Sequence, residues 1–141
     1  MSRIGGGLSR RDYDCIESVH SLSATGWPAR VKDVAAMMNV SPPTAVGFLD
    51  KLVGRALIEK GPNGYKLSDE GAAWLNEATR VHRLLETLLA RTGMSLEEAC
   101  RIASSVGGDV DSKAVEKLCA HLSHPGSCPH GRPIPGGDKY D

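Results

Sequence analysis

The chain has 141 residues with 17 basic and 17 acidic side chains, so bulk charge does not indicate a nucleic-acid partner. Its hydrophobic fraction of 40% and charged fraction of 24% are those of an ordinary globular protein. No apolar run approaches the roughly 20 residues that span a bilayer, and the first residues lack the apolar segment of a signal peptide. The sequence therefore predicts a cytoplasmic protein with no membrane partner. Its length allows a small DNA-binding domain with a dimerisation extension.

The first part of the chain is predicted to be an arm followed by a helix. Residues 1–11 contain three consecutive glycines and end in two arginines, which indicates a flexible basic arm. A helix is predicted for residues 12–23, where Asp12 can act as the cap and apolar residues recur at helical spacing. Gly26 and Pro28 then interrupt the chain.

The next segment has the pattern of a helix-turn-helix. One helix starts at Val31 and ends at Asn39, a residue type that tolerates the positive φ of a tight turn. Ser41 is a good N-cap for the following helix, and Pro42 occupies the first helical position, where its missing N–H costs nothing. Apolar residues at helical spacing on both sides complete the motif.

A β-hairpin and three more helices are predicted after this motif. The Asn63-Gly64 pair is a strong turn signal between strands at residues 57–60 and 65–67. Ser68 can cap a long helix that runs to about Arg91. Shorter helices are expected at residues 96–105 and 109–122, and the Pro-rich segment after them is expected to be irregular.

The predicted fold is mainly α with a small β-hairpin wing. Residues 12–71 are predicted to form an N-terminal winged helix-turn-helix domain for DNA binding. Residues 72–135 are predicted to form a C-terminal helical region, to which the family resemblance described next assigns dimerisation and effector sensing. The arm at residues 1–11 precedes them, and a tail at residues 136–141 follows.

This order of elements resembles the diphtheria-toxin-repressor and manganese-transport-regulator family of metal-activated, dimeric transcription factors. The resemblance is carried by the segments VKDVAAMMNVSPPTAVGFLDKL, LSDEG, VHRLLETLL, EEACR and SHPGSCPHGRPIP. It implies a homodimer that binds an inverted repeat in double-stranded DNA, acts as a repressor of metal or iron homeostasis genes, and is not an enzyme. The candidate DNA contacts are Arg30, Ser41, Pro42, Pro43, Thr44, Gly47, Lys51 and Asn63. Gly47 stands where relatives often carry a polar side chain, so a bidentate base contact is not expected there.

The resemblance also implies a site for a divalent transition metal such as Fe(II). The candidate ligands are Asp14, Glu17, His82, Glu86 and Cys100. A cysteine ligand favours Fe(II), Zn or Co over Mn. The chain departs from the family pattern three and four residues after Cys100, where Ala103 and Ser104 replace an expected Glu and His.

Several interpretations of the sensor stay open at this point. The mononuclear site can survive from the remaining ligands, or the site can have decayed. An iron–sulfur cluster or a thiol-based redox switch is the third interpretation, and it would use Cys15, Cys100, Cys119 and Cys128. A winged helix that binds protein instead of DNA is the alternative from another functional class. Salt-sensitive binding to DNA would separate these two classes.

Overall fold

The computed structural model describes residues 8–106 and 110–136. The predictions for most of the basic arm, for the Gly107-Gly108 insertion and for the end of the tail lie outside these residues. The chain divides into two compact units, one comprising Ser9–Leu75 and the other taking in the described residues from Asn76 onward. The division falls slightly later than the predicted boundary after residue 71, and the assignment of DNA binding and dimerisation to the two parts stays a prediction.

Helix α1, Arg10–Ser23, begins earlier than the sequence suggested. Ser9 is its N-cap: the Ser9 Oγ accepts a hydrogen bond from the Asp12 N–H, and the Asp12 carboxylate accepts one from the Ser9 N–H. This reciprocal capping box satisfies two N–H groups at the helix start. The prediction that Asp12 caps the helix is therefore wrong, and Arg10 and Arg11 belong to the first helical turn, not to an arm.

The helix-turn-helix is confirmed in detail. Helix α2, Val31–Met38, ends at Asn39, whose φ of 57° and ψ of 48° are left-handed. Helix α3, Pro42–Gly54, begins after Ser41, whose Oγ accepts a hydrogen bond from the Thr44 N–H. The turn is therefore fixed by local chemistry at both helix ends.

The wing consists of β1, Ile58–Gly61, paired antiparallel with β2, Gly64–Leu67. A further backbone segment reaches β2, because the N–H groups of Ala29 and Tyr65 each donate to the carbonyl of the other, at 2.7 and 2.8 Å. Gly64 has a φ of 141°, and a Cβ there would lie 2.5 Å from the Ala29 carbonyl oxygen. A glycine is therefore required at this turn by both backbone conformation and space.

An apolar core holds these elements of the first unit together. Helix α1 packs against α2, α3 and β2, and α3 also contacts β1. The buried apolar residues of this unit include Ile16, Val19, Val34, Ala45, Leu49, Leu52 and Ile58.

The second unit is built from helices and a loop. Helix α4, Asp69–Arg91, matches the prediction and contributes its residues from Asn76 onward to this unit. Helix α5 is Leu96–Val106, and helix α6 is Ser112–His121. The start predicted for α6 at residue 109 is wrong, because Asp111 acts as the N-cap through its Oδ1, which accepts from the Ala114 N–H at 2.8 Å. The core of the unit contains Val81, Leu84, Val115, Cys119, Leu122, Cys128 and Ile134.

The segment after α6 is irregular, as predicted, yet it closes on itself into what we call the tail loop, residues 126–134. The Ile134 N–H donates to the Gly126 carbonyl at 3.0 Å, and the Cys128 N–H donates to the Arg132 carbonyl at 2.8 Å. Cys128 and Ile134 are buried in the core, which anchors both ends of the loop. Among the helices of the described residues, none is long and apolar enough to cross a membrane.

Candidate metal centre and DNA-binding surface

Helices α4 and α5 bring three predicted ligands together. His82 and Glu86 lie one turn apart on α4, so their side chains share a face of that helix. The His82 Nε2 lies 3.4 Å from the Glu86 Oε2, and the Cys100 Sγ lies 3.7 Å from the same His82 nitrogen. The ligand atoms of all three residues lie within 4.8 Å of one another, which is close enough for them to hold one ion.

The tail loop adds two donors that the sequence analysis did not assign to this place. The His130 Nδ1 lies 2.9 Å from the Glu86 Oε1. The ligand atoms of Glu86, Cys128 and His130 also lie within 4.8 Å of one another. Both sets line one cavity of about 120 Å³, together with Arg83 and Arg132.

Glu86 is the central group of this cavity. Its side chain is only 2% exposed. Burial raises the pKa of this carboxyl, but hydrogen bonds from His130, Cys128 and Cys100 outweigh burial and hold the pKa below its usual value. Glu86 is therefore a carboxylate at neutral pH. Because a buried anion is costly unless it is paired, a cation in this cavity would stabilise the arrangement.

The donor set fits a divalent transition metal. Imidazole nitrogens suit Zn, Cu, Fe and Ni, thiolates select softer ions, and oxygen-only sites suit Mg, Ca and Mn. A cavity that offers two thiols, two imidazoles and one carboxylate therefore favours Fe(II), Zn or Co over Mn.

The remaining predicted ligands and the departures from the family pattern lie elsewhere or are engaged. Asp14 and Glu17 lie on α1 in the first unit, where Asp14 pairs with Arg10 at 3.2 Å and Glu17 is exposed. Their role as ligands stays a prediction. Ala103 is buried in the second unit, and the Ser104 hydroxyl donates to the Cys100 carbonyl at 2.8 Å, within its own helix.

The four cysteines are all free thiols, and they occupy different environments. Cys15 on α1 is completely buried, and burial, followed by the nearby charge of Asp12, raises its pKa to about 12. It is therefore a neutral thiol, which is a poor ligand. Cys119 is 1% exposed, and its Sγ lies 3.3 Å from the His124 Nδ1. Of the four, Cys100 and Cys128 line the cavity.

The candidate DNA contacts share one property, which is exposure to solvent. Most lie at the start of α3 or along it, and Asn63 is at the tip of the wing. A Cβ built on Gly47 meets no other atom within 4 Å, so the recognition helix is open at this position. The exposed candidates are Arg30, Ser41, Pro42, Pro43, Thr44, Gly47, Lys51 and Asn63.

Lys51 differs from the other candidates because its charge has a partner inside the unit. Its Nζ lies 2.7 Å from the Oδ2 of Asp12, whose side chain is fully buried. Burial raises the pKa of Asp12, but the hydrogen bonds from Lys51 and Ser9 outweigh burial and lower that pKa below its ordinary value. The ammonium of Lys51 is therefore engaged in stabilising the buried carboxylate, which reduces its availability to a phosphate.

Comparison with known proteins finds a family model for the second half of the chain and relatives that cover most of it. Residues 68–136 match the family model described as "Iron dependent repressor, metal binding and dimerisation domain". The transcriptional regulator MntR of Escherichia coli O6:H1 (strain CFT073) is 32% identical over 104 residues, which are 73% of this chain and 67% of MntR. Two solved structures are also similar. The first is the hypothetical protein SSo2273 from Sulfolobus solfataricus, with a TM-score of 0.83 and 25% identity; the match covers 91% of this chain and 99% of that chain. The second is ScaR with bound Zn²⁺, with a TM-score of 0.72 and 31% identity; the match covers 92% of this chain and 60% of ScaR.

The chain is shorter than several of these relatives. It spans 63% of one curated relative, an HTH-type transcriptional regulator from Aeropyrum pernix, and 60% of ScaR. The match to MntR has 32% identity and covers two thirds of that protein. The chain therefore belongs to the diphtheria-toxin-repressor and manganese-transport-regulator family, a family of metal-dependent transcriptional regulators and not of enzymes.

Proposed function

We propose that this protein is a cytoplasmic, homodimeric DNA-binding regulator that represses metal or iron homeostasis genes in response to a divalent transition metal. The observation that carries the proposal is the buried carboxylate of Glu86, which lies beside His82 and Cys100 in a unit that matches a metal-binding and dimerisation domain. The ion would be held by these three residues. When bound, the ion would balance the negative charge of the buried Glu86 carboxylate.

Fe(II) or Zn is the ion that the site favours. The thiol of Cys100 contacts His82 directly, and a thiolate ligand selects softer ions than Mn. A single ion is also favoured over an iron–sulfur cluster, because clusters are usually held by four cysteines. Here two of the four cysteines line the cavity, and Cys15 is a buried neutral thiol.

The exposed residues of α3 support the proposal that the protein binds an operator in duplex DNA. The start of α3 carries the exposed residues Ser41, Pro43 and Thr44, and the hydroxyl groups of Ser41 and Thr44 can donate hydrogen bonds to phosphate oxygens. Gly47 allows the backbone to approach a base or a thymine methyl group closely. Two copies of α3 in a two-fold dimer would read an inverted repeat with half-sites about one helical turn apart.

The proposal is tested by measuring how metal changes DNA affinity. Operator fragments selected from random duplexes would be titrated with the purified protein, with and without Fe(II), in the absence of oxygen. We expect Cys100→Ala to weaken the metal response by about 10-fold or more while the metal-free affinity stays unchanged, because Cys100 lies outside the DNA-binding unit. The matched control is Ser105→Ala, an exposed position on the same helix. An unchanged metal response in Cys100→Ala would contradict the proposed site.

The salt dependence of binding separates this function from protein recognition by the same fold. Phosphate contacts release counterions, so the logarithm of the binding constant should fall linearly with the logarithm of the salt concentration. A regulator of this kind should show a steep negative slope. Binding that is indifferent to salt would indicate a winged helix that recognises a protein.

A further inference from the structure

We propose that Asp12 sets the DNA affinity of the winged helix, because it holds Lys51 away from the phosphate backbone. The inference rests on the proposed DNA binding and deepens it. It also revises the role predicted for Lys51, which becomes an internal partner of α1 and makes no phosphate contact. The recognition helix would then contact DNA without a free positive charge of its own.

The recognition helix has a single basic side chain to offer to DNA. Lys51 is the one basic residue in the sequence of α3, PPTAVGFLDKLVG, and it lies in the last turn of that helix. Its Nζ donates a hydrogen bond to the Asp12 Oδ2 at 2.7 Å. Hydrogen bonds between charged groups are about twice as strong as neutral ones. The charge of Lys51 is therefore neutralised inside the unit, and Asp50 is the other charged residue of α3.

The Asp12 carboxylate depends on Lys51 for its charge balance. The Asp12 side chain is fully buried, and its Oδ1 has no hydrogen-bond partner within the described residues. Its Oδ2 accepts from the Ser9 N–H at 2.8 Å and from Lys51. If Lys51 moved to a phosphate, Asp12 would become a buried anion without a counter-charge, which is strongly unfavourable. A phosphate on the solvent side attracts Lys51 less strongly, because water and salt screen that interaction.

The two arginines beside Asp12 are engaged with other groups. The Arg11 Nη2 donates to the carbonyl of the last residue of α2 at 3.1 Å, and its Nη1 lies 3.7 Å from the Asp14 Oδ2. The Arg10 Nε lies 3.2 Å from the Asp14 Oδ1. Lys51 is therefore the cation on which the charge of Asp12 relies.

The salt dependence of DNA binding distinguishes a withheld lysine from one that contacts a phosphate. Each phosphate that a cation neutralises adds about 0.9 to the negative slope of the logarithm of the binding constant against the logarithm of the salt concentration. Lys51 adds nothing to this slope while Asp12 holds it, and one such increment once it is released. A pair with a purely structural role would affect the stability of the fold and leave the slope unchanged.

The experiment measures operator affinity from about 50 to about 200 mM salt for the metal-loaded full chain. We expect Lys51→Gln to keep the wild-type slope. Asp12→Asn keeps an acceptor for the Ser9 N–H and should steepen the slope by about 0.9, which is an additional loss of affinity of about 3-fold to 4-fold across this range. The double variant should return to the wild-type slope. Asp50→Asn is the matched control, because it removes an exposed acid from the same helix without releasing Lys51.

The measured slopes decide the inference in both directions. A shallower slope in Lys51→Gln would overturn it, since Lys51 would then contact a phosphate in the wild type. A wild-type slope in folded Asp12→Asn would overturn it as well. In both cases, DNA binding that still responds to metal leaves the proposed function standing, whereas a wild type that binds no duplex overturns both. Circular dichroism gives the folded fraction of each variant. If Asp12→Asn is unfolded, Lys51→Gln decides alone, because its side chain is 47% exposed.

Discussion

The carboxylate of Asp12 shows how one side chain can be the reciprocal partner in a capping box, a core residue and an ion-pair partner at once. Its side chain is fully buried, and its Oδ2 accepts hydrogen bonds from the Ser9 N–H at 2.8 Å and from Lys51 at 2.7 Å. Because these bonds require the ionised form, they favour the charge that burial alone would suppress. The capped start of α1 is thus tied to the recognition helix α3 by a single charged contact.

This contact predicts a pH-dependent stability for the protein. The folded pKa of Asp12 lies below its unfolded value, so the carboxylate stabilises the fold above the unfolded pKa, which is about 4. That contribution is lost as the pH falls through the folded pKa. We expect Asp12→Asn to lower the free energy of unfolding by about 1–3 kcal/mol at pH 7.

The measurement is urea unfolding at pH 7 and at pH 3. The difference between Asp12→Asn and the wild type should shrink at the lower pH, where the wild-type carboxylate begins to take up a proton. Asp50→Asn, an exposed acid on α3, serves as the control and should change stability by no more than about 0.5 kcal/mol. A difference that stays constant with pH would contradict the assigned charge.

A substitution at Gly47 should change the stability of the fold and its DNA affinity in opposite directions. A methyl group at this position meets nothing within 4 Å, and alanine is favoured over glycine inside a helix by about 0.5–1 kcal/mol. Gly47→Ala should therefore raise the free energy of unfolding and, if the backbone approaches a base here, lower operator affinity several-fold. Thermal unfolding and fluorescence anisotropy with labelled operator measure the two effects, and an unchanged affinity would remove Gly47 from the contact surface.

At the scale of elements, the sequence predicts best where the signals are local. The turn between α2 and α3 is set by Asn39 and Ser41, and both residues adopt the predicted roles. The predicted start of α1 is wrong because Ser9 and Asp12 are both residue types that can cap a helix. The contact that favours Asp12 inside the helix comes from Lys51, which is 39 residues away in the chain.

The metal site was predictable only for the part that lies on helices. His82 and Glu86 are one turn apart, so their shared face follows from helical geometry. The approach of His130 to Glu86 joins residues 44 positions apart through an irregular loop, and no periodicity in the sequence reports such a contact. The CPH spacing was visible in the sequence, but the place to which it folds was not.

Gly71 is a position where close packing between two elements, and not local sequence preference, determines the residue type. A Cβ at this position in the first turn of α4 would lie 1.9 Å from the Leu57 carbonyl oxygen. This crowding explains why the helix start, capped by Ser68 through the Gly71 N–H at 2.9 Å, has no glutamate at the third position.

The crowding predicts opposite effects for two Gly-to-Ala changes. Gly71→Ala should lower the free energy of unfolding by about 1–3 kcal/mol or more, because the Leu57 backbone must move. Gly54→Ala, where nothing lies within 4 Å, should leave stability unchanged or raise it by up to about 1 kcal/mol. Urea unfolding of both variants checks the pair, and equal effects would contradict the close contact.

At the scale of the whole molecule, the proposed dimer determines how the operator is read. A homodimer with two identical recognition helices needs two half-sites related by a two-fold axis. We expect an operator with one half-site scrambled to bind about 10-fold or more weakly than the intact inverted repeat, because one set of base contacts is lost. Sedimentation of the protein with each duplex gives the stoichiometry, and equal affinity for both duplexes would indicate a monomeric reader.

The burial of Cys15 and Cys119 has a practical consequence for measuring the two units separately. Cys15 lies in the core of the first unit and Cys119 in the core of the second, at 0% and 1% exposure. Thiolates react with alkylating reagents and buried thiols do not, so each of these cysteines can be labelled only when its own unit opens.

Brief alkylation along a urea gradient, read by peptide mass spectrometry, would therefore follow the opening of each unit with probes that the natural chain already carries. A metal that binds at the cavity should raise the urea concentration at which Cys119 is labelled, because its binding free energy adds to the stability of the second unit. A change in the labelling of Cys15 would show that the same ion also stabilises the DNA-binding unit.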